Sequence, residues 1–195
     1  MKTIKSMTEE KKLKNNYVPD ASSNFQELLP ISSDTFIKKL DDWDIKYKYF
    51  EHIPLRTVEA SKSIQDIFLN ASEGGAHIKN LFLRDHKKNY ILIITHQDTL
   101  VDLKELQFKI GVGRLSFGSP ERLMECLGVF PGAVTPFSMI NGIKKNVILF
   151  IDSSLKDFKK IYAHPLVNDR TLELSFESLE IFFKKINVIP QWIKL

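Results

Sequence analysis

The chain has 195 residues, of which 43% are hydrophobic, and a formal net charge of +4. This length is enough to bury one hydrophobic core, so we expect a single domain. The longest apolar run, residues 90–94, is far too short to cross a bilayer, and the first 30 residues lack the apolar segment of a secretory signal. We therefore expect a cytoplasmic protein that does not associate with membranes.

The positive charge is concentrated at the N-terminus. Residues 1–14 carry a net charge of +3, which leaves +1 for the other 181 residues. A DNA-binding surface needs many phosphate contacts, so a nearly neutral body argues against one, whereas a small site for one end of a nucleic acid is compatible with it. Because residues 1–29 are polar and lack periodicity, we expect a flexible extension to a domain that spans residues 30–195.

The first part of the domain predicts a helix, a strand and a second helix. Ser32 and Ser33 can cap the first helix, whose apolar residues recur at helical spacing: Phe36, Ile37, Leu40 and Trp43. A strand over residues 47–52 follows. Thr57 can cap the next helix, and the pair Gly74-Gly75 ends the region as a flexible joint.

Two strands and two helices are predicted next. Residues 78–84 and 90–95 are strand-like runs joined by a polar turn, and the second run is continuously apolar, as expected for a central strand buried on both faces. A short helix then ends at Gly111. Another helix has Ser119 as its cap and ends at Gly128.

The C-terminal third contains a turn signal, three strand-like runs and two helices. Asn141-Gly142 predicts the turn, and Ser175 can cap the last long helix. The strand-like runs cover residues 147–151, 172–174 and 188–195, and a short helix is expected at residues 155–158. Several connections are too short for parallel crossovers. The fold class is therefore α/β (mixed), with a mixed, largely antiparallel sheet wrapped by helices.

The standard catalytic templates are missing from the sequence. The five histidines have no metal-ligand spacing, and the single cysteine, Cys126, lies among apolar helix residues and is expected to pack rather than react. There is no GxSxG motif for a serine nucleophile. We expect neither a metal nor a cofactor.

Two short motifs deserve a chemical interpretation of their own. Lys79 and Asn80 are adjacent in a strand, so their side chains should point to opposite faces. Gly132 and Pro136 bound a loop that can expose backbone N–H groups, which are suited to hold an oxyanion or orient water. Taken singly, Lys79 also fits an ordinary lysine of an edge strand, and the loop from Gly132 to Pro136 also fits an ordinary turn.

Several blocks together resemble the YbaK/prolyl-tRNA synthetase-associated editing family, and within it the free-standing alanyl-tRNA(Pro) deacylases. The blocks follow the family's order and cover roughly residues 32–195. They are Glu51-His52-x-Pro54 with Thr57, Lys79-Asn-Leu-Phe-Leu, Gly113-Arg-Leu-Ser-Phe with Ser119-Pro-Glu-Arg-Leu, the glycine-proline segment of residues 128–137, and His164-Pro-Leu with Asn168. One departure is Ile53, where relatives often have a second proline.

The resemblance implies hydrolysis of the aminoacyl ester of mischarged tRNA(Pro), most directly Ala-tRNA(Pro), on a YbaK-like editing-domain fold. It implies that Lys79 holds the substrate's 3′ end and supports hydrolysis. Backbone groups of the GxxxP loop would position water together with a ribose hydroxyl of the tRNA; the loop residues are Gly132, Ala133, Val134, Thr135 and Pro136. The partner is then the acceptor end of tRNA(Pro), and binding to prolyl-tRNA synthetase stays open.

The same resemblance implies a set of substrate-binding residues. Asn80 and His164 would shape the amino-acid pocket, and Arg114 would add local positive charge. His52 and Thr57 would either contact the substrate or brace the loop before the second helix.

Three other functions remain open at this point. One is a Cys-tRNA(Pro) deacylase of the YbaK branch, because pocket size decides between alanine, serine and cysteine. Another is a non-catalytic module that binds tRNA or has a regulatory role on the same fold. In the third, the resemblance concerns the fold alone, and the ligand is some other small ester or amino acid.

Overall fold

We describe a computed structural model of the protein, which covers residues 19–55 and 67–195. The strands are β1 (Lys48–Glu51), β2 (Gly75–Arg84), β3 (Tyr90–His96), β4 (Ser116–Phe117), β5 (Ile148–Asp152), β6 (Lys160–Ala163), β7 (Arg170–Leu174) and β8 (Gln191–Ile193). The α-helices are α1 (Ser33–Asp42), α2 (Leu103–Lys109), α3 (Pro120–Leu127), α4 (Met139–Gly142) and α5 (Phe176–Lys185). None of the helices in the described ranges combines the length and the apolar content needed to span a bilayer.

The strands form one mixed sheet in the order β1-β7-β6-β2-β3-β5-β8, with β4 paired to β2. The pairs β1/β7, β6/β7, β2/β3 and β2/β4 are antiparallel, and the pairs β2/β6, β3/β5 and β5/β8 are parallel. The predicted mixed α/β fold is confirmed. Antiparallel pairs predominate only slightly among the described strands.

Helices cover both faces of the sheet, so β3 is buried from two sides. All residues from Ile91 to Ile94 are 0% exposed, as their continuous apolar run predicts. On one face the aromatic rings of Phe36, Phe137 and Phe182 form the centre of the larger core, with ring centroids 5.0 to 5.9 Å apart. On the other face, Leu106 of α2 packs in a smaller cluster.

The predicted helix starts are confirmed by their caps. The hydroxyl groups of Ser32, Ser119 and Ser175 accept hydrogen bonds from the backbone N–H groups of Thr35, Arg122 and Ser178. Each cap satisfies a donor that the first helical turn leaves unpaired.

The structure corrects three local predictions. Asn141-Gly142 is not a turn but the end of α4, and the chain turns instead at Asn146, whose φ is 55°. The strands β4 and β6 were not predicted, because each has only a few residues and is defined by its neighbours in the sheet. Gly74-Gly75 is not a free joint, since the Gly74 carbonyl accepts hydrogen bonds from the N–H groups of Lys159 and Lys160.

The structure also places part of the predicted extension inside the fold. The backbone N–H of Asn168 donates to the Ala21 carbonyl oxygen at 2.9 Å, and the carboxylate of Asp169 accepts from the Ser23 N–H at 3.0 Å. Ala21 and Leu29 are 2% and 8% exposed. Residues 20–29 therefore pack as part of the domain rather than as a flexible extension, whereas residues 1–18 lie outside the described residues.

Candidate active site

The candidate site lies where one edge of β2 is open. On this edge β6 pairs with Gly75 to His77, and β4 pairs with Leu83 and Arg84. Among the described residues, no strand pairs with residues 78–81 on that side. A β-strand edge without a neighbour presents its side chains and backbone groups to whatever lies beside it.

A cavity of about 60 Å³ lies beside this open edge. Its polar lining residues are His77, Asn80, Gln97, Tyr162, His164 and Thr171, and its apolar ones are Leu55, Phe68, Ile78 and Ala163. Because the cavity is beside the edge rather than above one face, side chains from both faces of β2 reach it. Of the residues predicted from the sequence, Asn80 and His164 meet here.

Two polar atoms of lining residues are buried without a partner. They are Asn80 Oδ1 and His77 Nε2, which have no hydrogen-bond partner among the described residues. A buried polar atom without a partner costs free energy, so such atoms often mark the place of a ligand or a bound water.

His164 reaches the cavity from the segment that follows β6. Its Nδ1 lies 2.8 Å from the Arg170 carbonyl oxygen, which can only accept, so Nδ1 carries the proton. Burial lowers the pKa of His164 to about 4, although the bond to Arg170 acts in the opposite direction. The ring is therefore neutral at pH 7, and its Nε2 is a hydrogen-bond acceptor.

His52, the residue after β1, braces this region. Its ring centroid is 6.0 Å from that of His164. Nδ1 donates to the Ile53 carbonyl oxygen at 2.8 Å, and Nε2 lies 2.8 Å from Thr171 Oγ1. Both ring nitrogens are thus occupied, which is typical of a bracing side chain. Burial lowers the pKa of His52. Thr57 lies outside the described residues.

Lys79 lies on the face of β2 opposite Asn80, as the alternation along a strand predicts. Its Nζ donates to the carbonyl oxygen of Thr99 in the loop after β3. The same loop contributes Gln97 to the cavity. Lys79 is therefore connected to the cavity through this loop rather than lining it.

The loop of residues 132–136 packs against the larger core. Gly132 has a φ of 92°, in the left-handed region that favours glycine, and Ala133 is 0% exposed. The Ala133 N–H donates to the Phe130 carbonyl oxygen at 3.0 Å. Within the described residues, the N–H groups of Gly132, Val134 and Thr135 have no acceptor. None of the loop residues, Pro136 included, lines the cavity.

Arg114 is not brought to the cavity. It is exposed and lies two residues before β4, which pairs with the last two residues of β2, beyond the open edge. As for metal binding, no group of three or more histidine, cysteine, aspartate or glutamate side chains is arranged around a common point in the described part of the chain.

Comparison with known families decides what kind of protein has this site. The profile of the family described as "Aminoacyl-tRNA editing domain" matches residues 54–182. The chain belongs to this family. The prediction that it is an aminoacyl-tRNA deacylase is thereby confirmed at the level of the family.

Individual relatives support the assignment to this family. The prolyl-tRNA editing protein ProX of Acetoanaerobium sticklandii is 38% identical over 149 residues, which are 76% of this chain and 88% of ProX. Prolyl-tRNA synthetase associated domain-containing protein 1 of Mus musculus is 38% identical over 115 residues, or 56% of this chain and 68% of that protein.

A solved structure of a proposed trans-editing enzyme for prolyl-tRNA synthetase has the same fold. It superimposes with a TM-score of 0.62 at 18% identity and covers 84% of this chain and 97% of its own. At this identity the likeness concerns the fold alone.

Sequence reasoning missed several residues of the editing domain's cavity. His77, Gln97, Tyr162 and Thr171 were not predicted to lie there. The available signal was the position of His77, two residues before Lys79 and on the same strand. Tyr162 and Thr171 carried no comparable signal, because β6 was not predicted and β7 was predicted to begin at residue 172.

Proposed function

We propose that this editing domain hydrolyses the aminoacyl ester of mischarged tRNA(Pro) in trans, with alanine as the preferred amino acid. The relatives' names support the choice of tRNA, since ProX is a prolyl-tRNA editing protein and ProX aligns over 88% of its length. A synthetase pocket built for proline cannot strongly exclude a smaller side chain, which makes alanine a natural error.

The small volume of the cavity is the observation that carries the choice of alanine. A volume of about 60 Å³ holds roughly four water-sized groups. In this proposal the alanyl moiety enters the cavity beside Asn80 and His164, and the larger prolyl moiety is disfavoured there. The ester itself lies outside the cavity, near the 3′ end of the tRNA.

The chemistry requires only a positioned water and a stabilised oxyanion. The water oxygen attacks the ester carbonyl carbon, the bond to the ribose oxygen breaks, and that oxygen takes a proton. The products are free alanine and uncharged tRNA. The N–H groups of Gly132, Val134 and Thr135, which have no acceptor among the described residues, are the proposed oxyanion donors, and one such donor is worth about 3 kcal/mol. A neighbouring ribose hydroxyl orients the water.

The proposed partner is the acceptor end of tRNA(Pro), and the proposed place of action is the cytoplasm. The names of the relatives also favour a contact with prolyl-tRNA synthetase. Lys79 supplies the positive charge that holds the 3′ end in this proposal.

A deacylation panel tests the proposal. Purified protein is incubated with tRNA(Pro) charged with alanine, cysteine, serine or proline, and release of each amino acid is followed. We expect alanine to be released fastest and proline to be retained. Preferred release of cysteine would replace the proposed substrate. Saturable tRNA binding without any turnover would contradict the catalytic role.

A further inference from the structure

The strand β8 is the last strand of the sheet, and its outer edge has no neighbour. It pairs in parallel with β5 on one side, from Phe150 with Gln191 to Asp152 with Ile193. No strand of the described ranges lies on its other side. The backbone N–H and C=O groups that point away from β5 are therefore available, and such an edge is a template for another extended chain.

A pocket of about 230 Å³ lies beside β8, against α5. Its lining is apolar except for two side chains of α5, Glu180 and Lys184; the apolar lining residues are Phe183, Val188, Ile189, Pro190 and Trp192. A cavity of roughly 150 Å³ with an apolar lining holds a benzene-sized molecule. This pocket can therefore take a side chain of the size of leucine or phenylalanine.

Two of the lining residues present apolar surface to the solvent. Ile189 is 91% exposed and Trp192 is 37% exposed. The indole of Trp192 is held in place by Lys156 Nζ, 3.6 Å from the ring centroid, and by the ring of Phe176, with centroids 5.6 Å apart. This wall of the pocket is thus formed before any ligand binds. Exposed apolar surface next to an unpaired strand edge is typical of an interaction site.

The charged side chains around this edge are mainly positive. Lys156 lies over the indole, Lys184 lines the pocket, and Lys194 directly follows β8. Lys109 Nζ donates to the Lys194 carbonyl oxygen at 3.1 Å. These lysines are exposed, and none of them forms an ion pair with another described residue. Glu180 is the one acid among the described lining residues of the pocket.

The charge of this edge decides which chain fits it. A second copy that paired edge to edge through β8 would bring the same lysines against these ones, and like charges in close contact are unfavourable. Residues 1–14 of the chain itself carry a net charge of +3, so they are repelled as well. An extended segment with carboxylates on either side of an apolar residue complements both the lysines and the pocket.

We propose that the outer edge of β8 and the pocket beside α5 bind an extended, acidic segment of a partner protein. The segment adds a strand to the sheet through backbone hydrogen bonds, one bulky apolar side chain enters the pocket, and the flanking carboxylates pair with the lysines. In the sheet, β3 and β5 separate this edge from β2 and the candidate active site. The inference therefore goes beyond the proposed function and does not depend on it.

Short labelled peptides test the chemistry of the partner on the whole protein. Each peptide alternates threonine and valine, has aspartate and glutamate at both ends, and carries leucine, phenylalanine or tryptophan at its centre; fluorescence anisotropy follows binding. We expect at least one peptide to bind, with an affinity that falls by about tenfold or more when the central residue is serine or when lysines replace the acids. Failure of all three to bind at about 1 mM, or equal binding of the serine and lysine peptides, would overturn the inference.

Variants test whether the peptide binds at the β8 edge. Ile189→Glu puts a carboxylate at the pocket, and Lys184→Glu reverses one of the charges, so each should weaken binding by about tenfold. Both positions are exposed, so the fold should be retained. Ile53→Glu, at another exposed isoleucine, and Lys87→Glu, at an exposed lysine of the β2–β3 turn, are the matched controls and should bind as the wild type does. Equal affinity of all four variants would overturn the inference.

Two further measurements separate this partner from other occupants of the edge. On binding, the backbone amide shifts of residues 191–193 and of α5 should change while those of residues 78–81 stay constant; changes confined to other elements would overturn the inference. Sedimentation should give the free wild type and free Ile189→Glu the same mass. A dimer that Ile189→Glu dissociates would assign the edge to a second copy of this chain and would likewise overturn the inference.

Discussion

At the scale of single residues, Lys79 is restrained and still has donors available. Its ammonium group donates to the Thr99 carbonyl oxygen, which anchors the side chain to the loop after β3. An ammonium has three donors, so two are left for a phosphate or a ribose oxygen. The anchor lowers the rotamer entropy that binding would otherwise cost. Lys79 is therefore well suited to hold the 3′ end of a tRNA.

Replacing Lys79 by alanine should remove most of the activity. The proposal gives this side chain both a charge and two donors at the reacting end of the substrate, so we expect kcat/KM for Ala-tRNA(Pro) to fall by about 100-fold. Lys185→Ala, at an exposed lysine in the last turn of α5, is the control and should retain full activity. Near-normal deacylation by a folded Lys79→Ala protein would disprove the assignment.

Two partly buried histidines should make the protein sensitive to acid. Burial lowers the pKa values of His77 and His164 from 6.5 to about 4. Between pH 6.5 and pH 4 the unfolded chain therefore binds more protons at these two positions than the folded one, and the free energy of unfolding falls as the pH falls. Above pH 6.5 this contribution to stability is complete.

Urea unfolding from pH 7 to pH 4 measures the effect. Carboxylates also titrate in this range, so the informative quantity is the difference in unfolding free energy between the wild type and His164→Gln. This difference should shrink by on the order of 2 kcal/mol towards pH 4. His86→Gln, at an exposed histidine, is the comparison, and its difference from the wild type should change with pH by much less than that of His164→Gln. A difference in unfolding free energy between the wild type and His164→Gln that stays constant with pH would contradict the lowered pKa of His164.

At the scale of elements, the segment between β6 and β7 holds the walls of the cavity together. The Asn168 side chain donates to the carbonyl oxygens of Asp20 and Leu55, at 3.0 and 2.8 Å. Its backbone carbonyl accepts from the Leu55 N–H at 2.9 Å. Leu55 lines the cavity, so one buried amide fixes both the N-terminal segment and part of the site.

Asn168→Ala should destabilise the protein by about 2–4 kcal/mol, because two buried carbonyl groups lose their donor and a void is left. Chemical denaturation measures the change. Asn24→Ala provides the comparison, since Asn24 is exposed in the 3-10 helix Ser23–Leu28 and should cost less than about 0.5 kcal/mol. A similarly small cost for Asn168→Ala would mean that the N-terminal segment is held by other contacts.

Local sequence signals were sufficient to predict those helices and strands whose formation depends on neighbouring residues. The caps at Ser119 and Ser175 and the apolar run of β3 predicted those elements because a helix start and a buried strand depend on neighbouring residues. The cavity could not be predicted in this way. It exists because β6 pairs with β2 only as far as His77, and this pairing joins residues that are 85 positions apart along the chain, from Gly75 with Lys160 to His77 with Tyr162.

The predictions for the candidate site residues differ in the same way: some depend only on neighbouring residues, and others depend on contacts between distant parts of the chain. The opposite faces of Lys79 and Asn80 follow from the period of a strand, and both residues lie in β2. Asn80 and His164 line one cavity, as the family resemblance implies, whereas Arg114 is exposed and does not line it. The role of Arg114 as local positive charge stays a prediction. The roles of Lys79 and of the Gly132 loop remain predictions, because they depend on where a substrate lies.

At the scale of the whole molecule, charge limits how much of a tRNA the protein can hold. Residues 15–195 carry a net charge of only +1. Each phosphate contact that a basic side chain makes contributes to affinity and to its salt dependence. A nearly neutral body therefore favours a substrate held at its acceptor end, by Lys79 and the cavity, with few contacts further along the tRNA.

A minimal substrate tests this limit. An alanylated minihelix that contains only the acceptor stem and the 3′ end of tRNA(Pro) should be deacylated with a kcat/KM within about threefold of full-length Ala-tRNA(Pro), because few phosphate contacts are lost. The dependence of kcat/KM on salt should be shallow and the same for both substrates. The same pair is measured with a protein that lacks residues 1–14, which carry most of the net charge. If the minihelix is deacylated more slowly than the whole tRNA by tenfold or more with both proteins, residues 15–195 must contact the rest of the tRNA. If only the protein that keeps residues 1–14 prefers the whole tRNA, the lysine-rich start supplies those contacts.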